Sequence, residues 1–191
     1  MASVQSKWSA AFDNDTYALN VISYEHHEVH GGASYDAFGT VDLASGGTMN
    51  IAIVTPNTLR YSHAVLAVSS ELEAAINFYE GFVPSGTADG GTIGVAVTAY
   101  NRNRNVSTTA TTLVYTGATV GTAVGGTAGT LIWATHQGGG AAAFRFGGEQ
   151  RGVSEWVLKA NTRYLFQIIN ATTSANYNAW EVDWYEHTNK E

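Results

Sequence analysis

"SSELEAAINF", residues 69–78, decides the fold class of this chain. The stretch tempts a helix over residues 71–78. Yet Leu72, Ala74, Ile76 and Phe78 alternate with Glu73, Ala75 and Asn77, and the run leads straight into "FYEG". Alternation with period two puts one set of side chains on each face of an extended chain. Read as a strand, this segment leaves no stretch with a sustained helical stripe and caps, and the chain is expected to be all-β.

The other apolar runs agree. "MNIAIVT" (49–55) sets Met49, Ile51 and Ile53 on one face, and "HAVLAVSS" (63–70) follows after the turn at "TPNT". "IGVAVTAYN" (93–101) groups Val95, Val97 and Ala99. "TTLVYTG" (111–117), "GTLIWATHQ" (129–137), "RYLFQIIN" (163–170) and "NAWEVDWYEH" (178–187) complete the set. In the last, Trp180, Val182 and Trp184 oppose Glu181, Asp183 and Tyr185. Short strands joined by glycine or polar turns predict an antiparallel sandwich of jelly-roll type. The expected layout is an N-terminal arm with a histidine-rich strand over residues 1–44 and the jelly-roll β-sandwich over 45–191. "GATVGTAVGGTAG" (117–129) and "HQGGGAAAFRFGG" (136–148) are expected to be loops.

Composition limits function. Of 191 residues only 13% are charged while 45% are apolar, a thin ionised exterior that suggests surface covered by neighbours. The net charge of −7 argues against phosphate-neutralising contact with nucleic acid. With no cysteine, disulfides, thiolate metal sites and cysteine nucleophiles are excluded. The first fifteen residues carry no apolar h-region, and no apolar run reaches membrane-spanning length, so neither export nor a membrane partner is expected.

"YEHHEVHGG" (24–32) packs His26, His27, His30, Glu25 and Glu28 into a few residues. The zincin motif H-E-x-x-H fails, because His27-Glu28 would need a histidine where Gly31 stands. As a strand it would place His26, Glu28 and His30 on one face; such a face is more often hydrogen-bonded than metal-bearing, so no metal or other cofactor is expected. "YNRNRN" (100–105) would set Arg102 and Arg104 on one strand face and Asn101, Asn103 and Asn105 on the other; either a partner contact or a solvated turn fits it. Tyr-Glu recurs at Tyr24-Glu25, Tyr79-Glu80 and Tyr185-Glu186, and these glutamates are candidates to pair with Arg102 or Arg104. No catalytic motif is present: there is no G-x-S-x-G elbow, no P-loop lysine and no placed carboxylate pair. The chain is expected not to be an enzyme. Trp8, Trp133, Trp156, Trp180 and Trp184 are candidate sugar platforms, although Trp180 and Trp184 alternate with acids as a core face does.

In this order, "YEHHEVHGGASY", "IAIVTPNTLRYSHAVLAVSSELEA…FYEG", "AYNRNRN", "RGVSEWVLKANTRYLFQIIN" and "WEVDWYEHTNK" resemble a family of tailed-bacteriophage virion structural proteins. The resemblance spans roughly residues 20 to 188. It implies a jelly-roll head-decoration or cement protein, made in the host cytoplasm and carried on the virion's capsid surface. Its implied partners are the major capsid protein and its own copies in a trimer, with weak host glycan contact and no nucleic acid. Tail or neck positions, and a carbohydrate-binding jelly roll, are the alternatives. On that expectation the subunit or partner interface comprises Tyr24, Glu25, His26, His27, Glu28, His30, Asn101, Arg102, Asn103 and Arg104, with no catalytic residue.

Overall fold

The computed structural model describes residues 24–84, 93–120, 126–137, 144–146 and 155–188. The N-terminal arm expected over the first twenty residues lies outside them, as does most of the glycine-rich stretch after Gln137.

A short helix, α1 (Tyr24–His30), precedes the strands β1 (Ser34–Leu43), β2 (Thr48–Val54), β3 (Arg60–Ser70), β4 (Ala74–Glu80), β5 (Val95–Val97), β6 (Tyr100–Asn101), β7 (Leu113–Thr116), β8 (Thr130–Gln137), β9 (Phe144–Phe146), β10 (Trp156–Leu158), β11 (Arg163–Asn170) and β12 (Asn176–Thr188). All strand pairings are antiparallel. One sheet runs β10-β3-β12-β1-β6, with β9 also on β3; the other runs β5-β7-β2-β11-β4-β8. The protein is an all-β sandwich. β1, which falls within residues 1–44, is an inner strand of the first sheet, held between β12 and β6.

Alternation decides the core. Trp180, Val182 and Trp184 of β12 are buried against Ile76 and Phe78 of β4 and Tyr164, Phe166 and Ile168 of β11. β4 is the strand that "SSELEAAINF" tempts toward a helix; Ala74, Ile76 and Phe78 are fully buried while Ala75 and Asn77 are not. An amphipathic strand between two neighbours buries more apolar surface here than a lone helix would. Gly39 stands opposite Trp180 on β1, and a Cβ there would lie 2.9 Å from the indole Cζ2. A missing side chain on one strand therefore makes room for the largest one on the next.

The run 93–101 departs from expectation. It forms two short strands, β5 on the edge of one sheet and β6 on the edge of the other, with Thr98 and Ala99 between them. Val97 and Ala99 pack on the core, whereas Val95 overhangs it at 73% exposure. Outside the second sheet, Leu165, Ala52, Phe82 and Ala118 form a smaller cluster. A row of side-chain amides, Asn77 to Gln167 (3.3 Å), Gln167 to Asn50 (2.9 Å) and Asn50 to the Ala118 carbonyl (2.9 Å), ties that sheet to the segment after β7.

Candidate functional site

"YEHHEVH" is a seven-residue helix, not a strand. A strand drawn from alternating His and Glu has no apolar row to bury, and Gly31-Gly32 behind it is a helix stop. Gly32, at φ 70°, ends α1: its N–H donates to Val29 O (3.1 Å) and Ala33 N–H to Glu28 O (3.0 Å). The helical period breaks up the face expected to hold His26, Glu28 and His30. Glu28 turns inward and is buried, while His26 and His30 share the exposed side. Their rings stack with centroids 4.6 Å apart at 9°, and their Nε2 atoms are 2.8 Å apart. His27 is exposed, its Nδ1 3.6 Å from Glu28 Oε1. Tyr24 and Glu25 open the helix.

"YNRNRN" is likewise not a strand beyond Asn101. Asn101 Oδ1 accepts from Asn103 N (2.8 Å), and Asn103 Oδ1 from Asn105 N (3.1 Å). Asparagine amides compete with the sheet ladder for the backbone, and two successive Asx turns win. The loop then grips the end of α1. Asn101 Nδ2 donates to Gly32 O (2.9 Å), Asn103 Nδ2 to His30 O (3.0 Å), and Thr108 Oγ1 to Gly32 O (2.6 Å). The structure thus brings the two polar stretches together, 73 positions apart in sequence.

The arginines do not reach the Tyr-Glu glutamates described. Arg102 Nη1 binds Asp183 Oδ2 at 2.6 Å, and Arg104 lies 5.7 Å from the Tyr100 ring centroid. Glu80 instead takes Lys159 Nζ at 2.6 Å and Tyr164 OH at 3.2 Å. Burial, with Glu80 beside it, pushes the Tyr164 phenol up to about 12. Glu186 points into the sandwich. Only 1% exposed, it accepts from Thr111 N and Oγ1, Thr112 N and Trp184 Nε1.

Two further features lie on the outer face of the first sheet. Asp36, Phe38, Tyr100, Asn101, Arg102 and Arg104 line an open groove of about 350 Å³. Phe38 and Tyr100, 56% and 43% exposed, stack at 5.8 Å with 26° between their planes. Burial, and then the charge of Asp183, raises the Asp36 carboxyl above the ordinary carboxylate value, against the pull of Arg102 and Arg104. Where α1 meets β12, His63 stacks on Tyr185 and tilts against His187, with ring centroids 4.6 Å away in each case, and its Nδ1 lies 3.7 Å from Glu155 Oε2. Burial and neighbouring His63 lower the His187 pKa below 6.5, while Glu28 and Glu155 pull it up. Neither Phe38 nor His63 stands out in the sequence; each gains its neighbours only through strand register. Trp180 and Trp184 are core residues and offer no sugar platform.

Among the described residues no group of three or more His, Asp or Glu side chains converges to hold a metal ion. No protein-family model and no curated protein matches the chain.

Proposed function

We propose that this chain is a structural protein of a tailed-phage virion, a jelly-roll cement protein that sits on the capsid exterior and associates with its own copies as a trimer. One observation carries the assembly: among the described residues β8 is an eight-residue sheet edge, "TLIWATHQ", without a single Lys, Arg, Asp or Glu. Leu131 on it is 51% exposed. Edge strands present unpaired N–H and C=O groups, and monomeric proteins blunt them with charge, proline or brevity. β8 is neither charged, proline-bearing nor short, and although its register shifts against Phe78 and Tyr79, its outer edge fits one made to be covered. The thin overall charge points the same way.

The strand order supports the jelly roll. Taking β1, β2, β3, β4, β8, β10, β11 and β12 as eight strands in order, first pairs with eighth, second with seventh, third with sixth and fourth with fifth. That pairing is the one expected of a ribbon folded into two Greek keys, a form found in viral capsid and lectin domains. The virion assignment itself rests on the resemblance of residues 20 to 188. Light scattering of the purified protein, with pull-down on phage heads stripped of decoration, tests it. A trimer that binds heads is expected, and Leu131→Lys should lower the mass to a single chain. A wild-type monomer that ignores the heads overturns the proposal.

A second function is favoured by the groove at Phe38 and Tyr100. Two exposed, stacked aromatic rings flanked by Asp36 and Arg104 offer apolar and polar contacts to a neutral sugar. Two acids against two arginines leave the site without net charge. Saturation-transfer NMR with neutral disaccharides should show ring contacts that Phe38→Ala removes and Tyr177→Ala, outside the groove, keeps.

A further inference from the structure

We propose that His26 and His30 form a cis-chelating site for a divalent transition-metal ion of the copper or nickel type. The inference is independent of the virion assignment and of the groove. Histidines four apart on a helix share one face, and the pair here is brought together with its Nε2 atoms in contact. The two Nε2 atoms face each other at 2.8 Å, with rings only 9° from parallel. Both residues are exposed, so an ion reaches them from solvent. In neutral histidines one Nε2–H donates to the other Nε2; for both Nε2 lone pairs to meet a metal ion, that proton moves to Nδ1 and the rings turn from each other toward the ion.

The separation is compatible with a cis pair of ligands. Imidazole nitrogens sit about 2.0–2.1 Å from a bound ion, so two of them 2.8 Å apart subtend about 85–90°. That is a cis angle of tetragonal or octahedral coordination, as copper(II) and nickel(II) prefer. A tetrahedral zinc site would need the nitrogens to spread to about 3.3 Å. The same ordering follows from the intrinsic affinity of nitrogen donors, highest for copper. No third donor converges among the described residues.

The helix holds the clamp in advance. The turn at Gly32 closes its end, and Asn103 Nδ2 fixes the His30 carbonyl at 3.0 Å. Less backbone freedom around His30 remains to be lost on binding. His27, one position on, points elsewhere, with its Nδ1 near Glu28.

The test is copper(II) titration of the full chain, followed by calorimetry and by electron paramagnetic resonance. One equivalent should bind ahead of any weaker sites, with two nitrogen donors in the spectrum. His26→Gln and His30→Gln should each weaken it at least about 10-fold and leave one nitrogen, while His136→Gln, an exposed histidine on β8, should leave affinity and spectrum unchanged. Circular dichroism and melting of both variants confirm that they fold. Should either His26→Gln or His30→Gln bind with wild-type affinity and an unaltered nitrogen count, or the wild type bind no copper, the chelate does not exist.

Discussion

Asp36 and Asp183 stand directly opposite one another across the β1–β12 ladder. Like charges at paired positions repel. Arg102 offsets this by binding Asp183 at 2.6 Å, and the Asp36 carboxyl is left raised in pKa by burial and by its neighbour's charge. A strand pair that needs an arginine from a separate loop is held at a cost to stability, as binding surfaces often are.

Asp36→Asn should stabilise the protein near neutral pH by about 0.2–1 kcal/mol. A raised folded-state pKa means that folding favours the protonated acid, so stability is full below the unfolded value of 3.8 and falls as pH rises through the folded one. The gain from Asn should therefore appear in melts at pH 7 and vanish near pH 3. An equal gain at both would refute the charge explanation.

Arg102→Ala should lose up to about 1 kcal/mol, the range of a half-exposed ion pair. Combined with Asp36→Asn it should lose less than the two single effects predict, because the repulsion that Arg102 offsets is already gone. Denaturant titrations of the four-member cycle read this coupling directly.

Glu186→Gln should be the most damaging of these changes, at about 2–4 kcal/mol. An amide keeps an acceptor at only one of the two positions, so its NH₂ meets either the Thr111 N–H at Oε2 or the Thr111, Thr112 and Trp184 donors at Oε1. Thr111→Val, which removes only the hydroxyl donor at 2.6 Å, should cost about 1 kcal/mol. Thermal melts that rank the pair in the reverse order would show that the buried carboxylate is not what secures that end of the sandwich.

Acid should destabilise the contact between α1 and the sheet. The His187 pKa is lowered, chiefly by burial, so the fold favours neutral imidazole. The unfolded chain then binds the extra proton first, and stability drops as pH falls below the ordinary 6.5. His63, Glu28, Glu155 and Arg60 all surround this ring, so the slope is a property of the cluster. Melting temperatures between about pH 7 and 5 should fall less steeply in His187→Phe than in the wild type.

Gly32→Ala should cost about 1–2 kcal/mol, from the left-handed conformation forced on alanine. Its Cβ would also lie 2.8 Å from Val106 Cγ1, so the loop that grips α1 must shift. Helix signal and melting temperature should decline together.

Strands whose alternation coincides with burial were legible in the sequence: β2, β4, β11 and β12 bury the residues that their period-two pattern picks out. α1 was not, because its polar residues alternate without an apolar row, and only the two glycines behind it mark a helix end. The bent path of Asn101–Asn105 was hidden for a different reason. Asparagine amides turned back on their own backbone, a local choice that strand periodicity does not register. The joining of "YEHHEVH" to "YNRNRN", and of Phe38 to Tyr100, depends on which strands lie side by side, and that is a property of topology rather than of either stretch alone.

Seven consecutive residues, 95–101, begin on the rim of one layer and finish on the rim of the other. Such a strap opposes shear. Sliding one layer over its mate would have to peel β5 from β7 or β6 from β1, so a lateral load on the body is met by backbone hydrogen bonds as well as by the greasy contact between the layers.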